Sequence, residues 1–470
     1  MGTLRVTNIE AKSDSSSPSV DEKVSIRNSN EQVIFEVDGK NSPGVGTVFV
    51  GSGIVTATTF TGNVTGNVTG NATGLSGTPD VVVGIVTATE IAGVSTIGVT
   101  TVTATTLTVN GNNYPSAGAL SNRNLIINGA MQVAQRGTSS SSQTTTGYYT
   151  VDRFQYGIST SGTHTLEQSN DGPVGFTNSA KISCTTADTS LDTNSELFIV
   201  QKIEAQNLQH LNYGSADAVD LTLSLWVKSN KTGTYAIEIF QADDNRTCGF
   251  ELVVDQTGWK QYTFTIPGDT TGVIDNDNGI GFWIFLWMVS GTEKTSGTFT
   301  NGSWEANVVS NRLPSGLVNF ADSNTNALWT TGWQLEVGSV ATPFEHRSYG
   351  DELVKCQRYY QQITVGGGNN IQEGISWNST SAVATLYYNE MRAGPDVTLP
   401  PAGQSANTMS FLTTSGGYPT TTGNHSATNA TTRSVSIYGS SYVGLTVANA
   451  SWLWPGNNTG SCTFKFDAEI

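Results

Sequence analysis

The chain has 470 residues, of which 13% are charged and 51 are glycine, and its formal net charge is −16. A sequence pI near 4.6 argues against non-specific binding to nucleic acid and against adhesion to anionic lipid. No apolar run approaches the roughly 18 residues of a membrane span, and the opening MGTLRVTNIEAKSDSSS lacks the apolar stretch of a secretory signal.

Thr, Ser, Asn and Gly dominate and Pro is scarce, a composition that points to a turn-rich all-β chain of about two to four domains. Cys184, Cys248, Cys356 and Cys462 are far apart and form no CxxC, so they are expected as reduced, buried thiols of a chain folded in a cytosol.

In chain order, LRVTNIEAK, KVSIRN and EQVIFEVDG read as short strands with charges interspersed, a small β module over residues 1–50. VIFEVDG has the form of a hairpin opening. Residues 53–111 are repetitive. Thr-Gly-Asn-Val starts at Thr61 and recurs at Thr65, and VTAT followed by one residue and a large apolar one ends at Phe60, Ile91 and Leu107. Gly62, Gly66, Gly70 and Gly74 exclude a helix. As an extended chain, Val64, Val68 and Ala72 share a thin apolar face, too thin for one chain to bury. In each VTAT unit the last apolar residue falls on the opposite parity, which predicts a bulge or corner there. The expectation is a shaft over 51–118, of several chains wound on a common axis. A disordered linker is the alternative, and the regular Val, Ile, Phe and Leu positions argue against it.

From about Leu120, alternating strands separated by turns such as KTGT and PGDTTG predict a β-sandwich or jelly roll over 119–350. Leu221, Leu223, Leu225 and Val227 share one phase, and Tyr262, Phe264 and Ile266 another. GIGFWIFLWMV is apolar on both faces. It is a central strand covered on both sides, a strand facing a neighbouring subunit, or a sugar-binding face with Trp283 and Trp287 as stacking platforms. Asp351 and Glu352 head an expected helix over 351–362, placed by Leu353, Cys356 and Tyr359 or Tyr360. Residues 351–470 then form a third β region, closed by a strand in which Cys462, Phe464, Phe466, Ala468 and Ile470 alternate with polar residues. Its Gly-, Ser- and Thr-rich loops carry aromatic residues in the manner of a recognition surface. Trp377, Tyr418, Tyr442, Trp452 and Trp454 are its ligand-binding candidates.

The chain has no phosphate-binding glycine loop, no dinucleotide fingerprint and no G-x-S-x-G elbow. His164, His210, His346 and His425 are scattered without metal spacing, and DNDNG before Ile280 reads as a plain turn rather than a calcium loop. Paired carboxylates for glycoside cleavage stay open, although carboxylates are sparse in the aromatic regions. The expectation is no enzyme, no metal and no cofactor.

NRNLIINGAMQVAQRGTS with YYTVDRF, and WQLEVGSVATPFEHRSYGDELVKCQRYYQ, resemble the start and end of a β-domain common in bacteriophage tail fibres. LSLWVKSNKTGTYAIEIFQ and TGWKQYTFTIPG resemble jelly-roll carbohydrate-binding modules, and the GIVTATTFTGNVTGN repeats resemble shafts of marine cyanophage fibres. The resemblance implies an elongated homotrimer on the virion tail, made in the host cytoplasm. Its N-terminal module would be held by tail or baseplate proteins, and its distal jelly roll and C-terminal head would bind host polysaccharide or lipopolysaccharide. A structural tail component without receptor binding and a tailspike depolymerase are the alternatives.

Overall fold

Alternation of β-branched and aromatic residues with Ser, Thr and charged ones is realised as antiparallel strands throughout. The computed structural model describes residues 23–27, 29–38, 47–49, 108–109, 112–113, 121–367, 369–405, 407–412, 423–443, 445–455 and 460–470. The chain divides into two units, residues 1–98 and 99–470.

In the first unit β1 (Lys23–Arg27), β2 (Val33–Asp38) and β3 (Thr47–Phe49) form an antiparallel sheet in chain order. β1 and β2 are the expected KVSIRN and EQVIFEVDG strands. Their connection places Glu31 at φ 61°, and Arg27 Nη1 donates to the Glu31 carbonyl at 2.7 Å. LRVTNIEAK and the repeats of residues 53–107, with their phase breaks, lie outside the described residues. At the end of the repeat region β4 (Thr108–Val109) pairs with β5 (Asn112–Asn113).

The larger sandwich of the second unit is built on twelve strands: β6 (Ser139–Gln143), β7 (Phe154–Ser159), β8 (Thr163–Ser169), β9 (Ser179–Thr186), β10 (Glu196–Glu204), β11 (Leu221–Ser229), β12 (Gly233–Gln241), β13 (Arg246–Val254), β14 (Lys260–Ile266), β15 (Ile280–Ser290), β16 (Trp304–Ala306) and β17 (Ala327–Val337). They make two six-stranded sheets, ordered β16-β13-β12-β15-β10-β7 and β14-β11-β17-β9-β8-β6. Their inner faces share one core. Leu221, Leu223 and Leu225 of β11 are fully buried with Ile237 and Ile239 of β12 and with Phe282, Ile284, Leu286 and Met288 of β15. Each such side chain contributes about 1.5–3 kcal/mol of burial free energy. The DNDNG segment is a turn into β15, with Asp277 Oδ1 accepting from the Gly279 N–H at 2.8 Å.

The two segments that bracket this sandwich meet. NRNLIINGAMQV has little regular structure, so its backbone is held by side chains. Asn124 Oδ1 accepts from Ile126 and Leu335 N–H groups, and Asn128 bonds Val133 and Asp152. Gly129 lies against β17 so closely that a Cβ would sit 2.1 Å from the Trp333 carbonyl oxygen. From the far end of the domain, Glu345 accepts from the Asn124 N–H at 3.0 Å and Arg347 Nη1 donates to the Ile126 carbonyl at 3.1 Å.

Within the loop before β16, α1 (Thr292–Thr295) is a single turn. α2 (Tyr349–Gln357) follows β17, capped by Ser348, whose Oγ accepts from the Asp351 N–H. The helix is shorter than expected. Residues 360–362, assigned to it from sequence, open β18 (Tyr360–Gly366), because Tyr360 onward alternates and pairs with β26 (Ser461–Asp467). The ladder bonds outweigh the weak helical period of that stretch. Between them lie β19 (Gln372–Asn378), β20 (Ser381–Tyr387), β21 (Asp396–Thr398), β22 (Met409–Leu412), β23 (Asn424–Thr428), β24 (Ser434–Ser440) and β25 (Ala450–Pro455). Sheets β18-β26-β21 and β22-β25-β19-β20-β24-β23 pack through Phe411, Ile437, Leu453, Phe464 and Phe466. Cys462, Phe464 and Phe466 point inward as expected, but the strand ends at Asp467, and Ala468 N–H instead donates to the Tyr359 carbonyl at 2.8 Å.

The two sandwiches join through buried charge. Arg153, 1% exposed and at φ 72°, pairs with Glu469 and lies 3.4 Å above the Tyr359 ring centre. Arg136 pairs with Asp467 at 2.9 Å and covers Tyr360. Glu204 accepts from Arg358 at 2.8 and 2.7 Å and from the Tyr359 hydroxyl. The boundary expected near residue 350 thus falls inside one unit. Cys184, Cys248, Cys356 and Cys462 are buried. Among the described residues, no helix is long and apolar enough to cross a membrane.

His164 of β8 is buried in the first core, and neither ring nitrogen has a hydrogen-bond partner. Burial holds it down to about 4 from its ordinary 6.5, with Asp188 opposing. Between those values the unfolded chain takes up a proton that the folded chain refuses. Stability from this site is intact above the window and is lost as pH falls through it. His164→Leu removes the loss. Its urea midpoint should rise relative to the native chain as pH goes from about 7 to about 4.5; an offset that stays constant across that range is the contrary result.

Candidate functional site

β15 lies between β12 and β10, so its second apolar face points away from the core. Trp283, Phe285 and Trp287 follow one another along that face, with centroid spacings of 5.6 and 5.2 Å and interplanar angles of 20° and 26°. Phe198 of β10 meets Phe285 edge-on at 5.1 Å and Trp287 at 4.7 Å. It lies over Gly157 of β7, where a Cβ would sit 2.0 Å from Phe198 Cζ, so glycine gives the ring its place.

The loop after β15 folds back over this face. Leu313 N–H donates to the Lys294 carbonyl at 3.0 Å and Gly297 N–H to the Ser310 carbonyl at 2.8 Å, which places Arg312, Leu313 and Leu317 above the rings. Glu238 of β12 is the anchor. Fully buried, it accepts from Arg312 Nε at 2.7 Å and Nη2 at 2.9 Å, from Thr247 Oγ1 at 2.7 Å and from Trp287 Nε1 at 2.9 Å. Four donors fill the acceptor sites of the carboxylate, which makes a buried charge tolerable. Burial alone would pull the Arg312 guanidinium down, but Glu238 outweighs it and holds the group above its ordinary value. Lys294 pairs with Glu196 and, at 3.1 Å, with Glu293.

What remains open is a cavity of about 230 Å³, walled by Phe198, Phe240, Trp283, Phe285 and Trp287 and rimmed by Glu196, Lys294 and Arg312. Its rings differ in access. Trp287 is 1% exposed and Phe285 is 4%, whereas Trp283 and Phe240 are half-buried. The structure therefore brings Trp283 and Trp287 together but gives them different parts. Trp287, expected as a stacking platform, is a floor closed by Arg312 and Leu313, and the open aromatic pair is Trp283 with its cross-strand neighbour Phe240.

The C-terminal candidates do not converge. Tyr442, expected in a recognition loop, is fully buried, and its hydroxyl accepts from the Phe411 N–H at 3.2 Å and contacts His425. Burial pushes His425 down to about 4. Trp377 is 70% exposed at the bulged end of β19, beside Ile375. Trp452 and Trp454 are half-buried on β25, where Trp452 lies opposite Glu373, two same-face positions from Trp377. Tyr418 lies outside the described residues. No cluster of His, Cys, Asp and Glu suited to a metal occurs among the described residues.

Sequence reading missed Phe198, Phe240, Glu238, Lys294 and Arg312. Phe198 and Phe240 were visible only as members of alternating strands. Arg312 carried no local signal, because its partner is 74 residues away.

No protein-family model and no curated sequence matches the chain. Among solved structures it is similar to the enzymatically active domain of tailspike protein 4 of bacteriophage CBA120, at 13% identity over 46% of this chain and 21% of that one, TM-score 0.23. It is also similar to the arabinose-bound α-L-arabinofuranosidase MgGH51, at 10% identity over 55% and 34%, TM-score 0.27. A third is the family 11 carbohydrate-binding module from Clostridium thermocellum in complex with a β-1,3-1,4-mixed-linked tetrasaccharide, at 12% identity over 44% and 98%, TM-score 0.22. The chain thus spans a fifth and a third of the first two. Likenesses this distant carry no functional argument.

Arg312→Met keeps an apolar stem above Phe240 but leaves Glu238 buried and unpaired. It should lower stability to urea by about 3–5 kcal/mol. A change below about 1 kcal/mol, the range of exposed pairs, would show that the loop does not depend on this contact.

Proposed function

We propose that the protein is a non-catalytic glycan-binding adhesin of a phage tail fibre, and that the groove over β15 is its sugar site. The observation that carries this is the pair of open rings, Trp283 and Phe240, beside a charged rim of Glu196, Lys294 and Arg312. Pyranose C–H groups pack on aromatic faces, and a few fixed polar groups at the rim orient hydroxyls. Trp283 stacks on Phe285 and Phe285 on Trp287, whose Nε1 is bonded to Glu238, so the Trp283 ring is packed before any ligand arrives.

Binding without catalysis fits the carboxylates of this face. Glycoside cleavage needs two carboxyl groups poised on either side of the bond. Glu238 is saturated by four donors and Glu196 is committed to Lys294. The sequence resemblance to tail fibres supports the setting: a homotrimer on the virion tail, attached to tail or baseplate proteins through its N-terminal module, with the β-domains turned to host polysaccharide or lipopolysaccharide.

A second reading, a structural tail component without receptor binding, draws support from the loop that closes Trp287, Phe285 and Phe198. Glycan-array and host-cell binding by the full chain separates the two. Trp283→Ala should cut glycan affinity about five- to twelvefold, an aromatic contact of about 1–1.5 kcal/mol, with the melting temperature little changed. Full binding by that variant would move the site elsewhere, and absence of binding to any glycan or to host cells would favour the structural reading.

A further inference from the structure

Across the outer face the register runs Phe240, Trp283, Lys202. Trp283 and Phe240 line the cavity, and Lys202, across Trp283 from Phe240, lies outside its lining. Lys202 is 7% exposed, and its Nζ is 4.3 Å from the Trp283 ring centre and 6.0 Å from that of Tyr148. The other cations of this face are matched: Arg312 to Glu238, Lys294 to Glu196, Arg153 to Glu469 and Arg136 to Asp467. Among the described residues, Lys202 Nζ has no carboxylate within 4.0 Å and no hydrogen-bond acceptor; its only close partners are the two rings.

The Lys202 stem is buried, but its Nζ, with no protein acceptor for its three donors, still reaches solvent, and the ring quadrupoles compensate its lost hydration only in part, by about 0.5–2 kcal/mol. The arrangement is completed by an anion. Trp283 is shared between the groove and the lysine, so the anion belongs on the same ligand as the sugar ring in the groove. We infer that Lys202, with Trp283 and Tyr148, forms a second subsite that takes the carboxylate of an acidic sugar unit, so that the ligand class is an acidic oligosaccharide of the uronic-acid kind. This inference rests on the groove being a glycan site.

The charge state suits the role. Burial pushes Lys202 down to about 8, with Glu469 opposing and Arg153 adding to the effect, so the group is still mainly charged at neutral pH. A structural task for the ammonium is harder to find, because the hydrogen bond from this residue to the domain seam is made by its backbone carbonyl, which accepts from Arg153 Nη2 at 2.7 Å.

The test uses the full chain and three probes by calorimetry: an oligogalacturonate, its methyl ester, and a neutral β-glucan oligomer. A charge-assisted hydrogen bond favours the acid by roughly tenfold or more over the ester. Lys202→Met should erase that preference, leave affinity for the ester within about twofold, and keep or raise the melting temperature, since it removes an ammonium that has no carboxylate partner and keeps the apolar stem. A lysine that only supports the fold would instead lower the melting temperature and affect both probes alike. Equal affinity for acid and ester, or a preference that survives in Lys202→Met, overturns the acidic subsite. If only the β-glucan binds, and Trp283→Ala abolishes that binding, the groove stands and the inference fails. If none of the three probes binds, both fail.

Discussion

A strand that is apolar on both faces must be covered on both, and β15 sets that requirement for the larger sandwich. Its inner residues Phe282, Ile284, Leu286 and Met288 are covered by the opposing sheet. Its outer residues have no third layer of regular structure to meet. The chain covers them with the loop between β15 and β17, from which, among the described residues, Leu313 and Leu317 are the apolar side chains that join this cluster. It is fixed by charge instead, through Arg312 on Glu238 and Lys294 on Glu196. The cover is therefore incomplete, and it is incomplete over Trp283 and Phe240. Core, lid and groove follow from one run of eleven residues.

Charge is used sparingly, and part of it lies where water is excluded. The chain is only 13% charged, yet Glu204, Glu238, Arg153, Asp269 and Glu336 are each 2% exposed or less. Such groups are hard to keep unless matched, and matched pairs add direction rather than net stability. Here they fix which way two packed bodies face. Arg153 with Glu469 and Arg358 with Glu204 set the C-terminal sandwich against the first, and Arg312 with Glu238 sets the lid.

The strands were legible because burial follows a period of two that sequence displays directly. β11, β14 and β26 have the phases read for Leu221, Tyr262 and Cys462. The helix over 351–362 was half right. Its cap and first turn are local, so they could be read, but its end is decided by β26, about a hundred residues on. The site was legible to the same extent. The double alternation of β15 marked Trp283 and Trp287, whereas which ring stays open depends on Arg312 and Leu313, set there by a turn at Lys294 and by a carboxylate on another strand. Tyr442 was misplaced for a related reason. YGSSY has loop composition, but the ring folds back under β22 and β24 into the core.

On the glycan reading, the size of the groove limits what one copy can do. About 230 Å³ accommodates a single sugar ring, below the ~300–1,000 Å³ of sites that enclose larger ligands. A hexose has about a dozen non-hydrogen atoms, and at roughly 0.3 kcal/mol each the site yields about 3.6 kcal/mol, a millimolar affinity. A rigid floor under Trp283 helps by removing ordering costs, but it does not change that scale. Linking two or three such sites raises avidity by about 10²–10⁴, to the micromolar range and below. A groove of this size is thus suited to a protein presented in several copies, and a lone copy would hold its ligand only briefly. The physical case for association in this chain comes from the smallness of that groove.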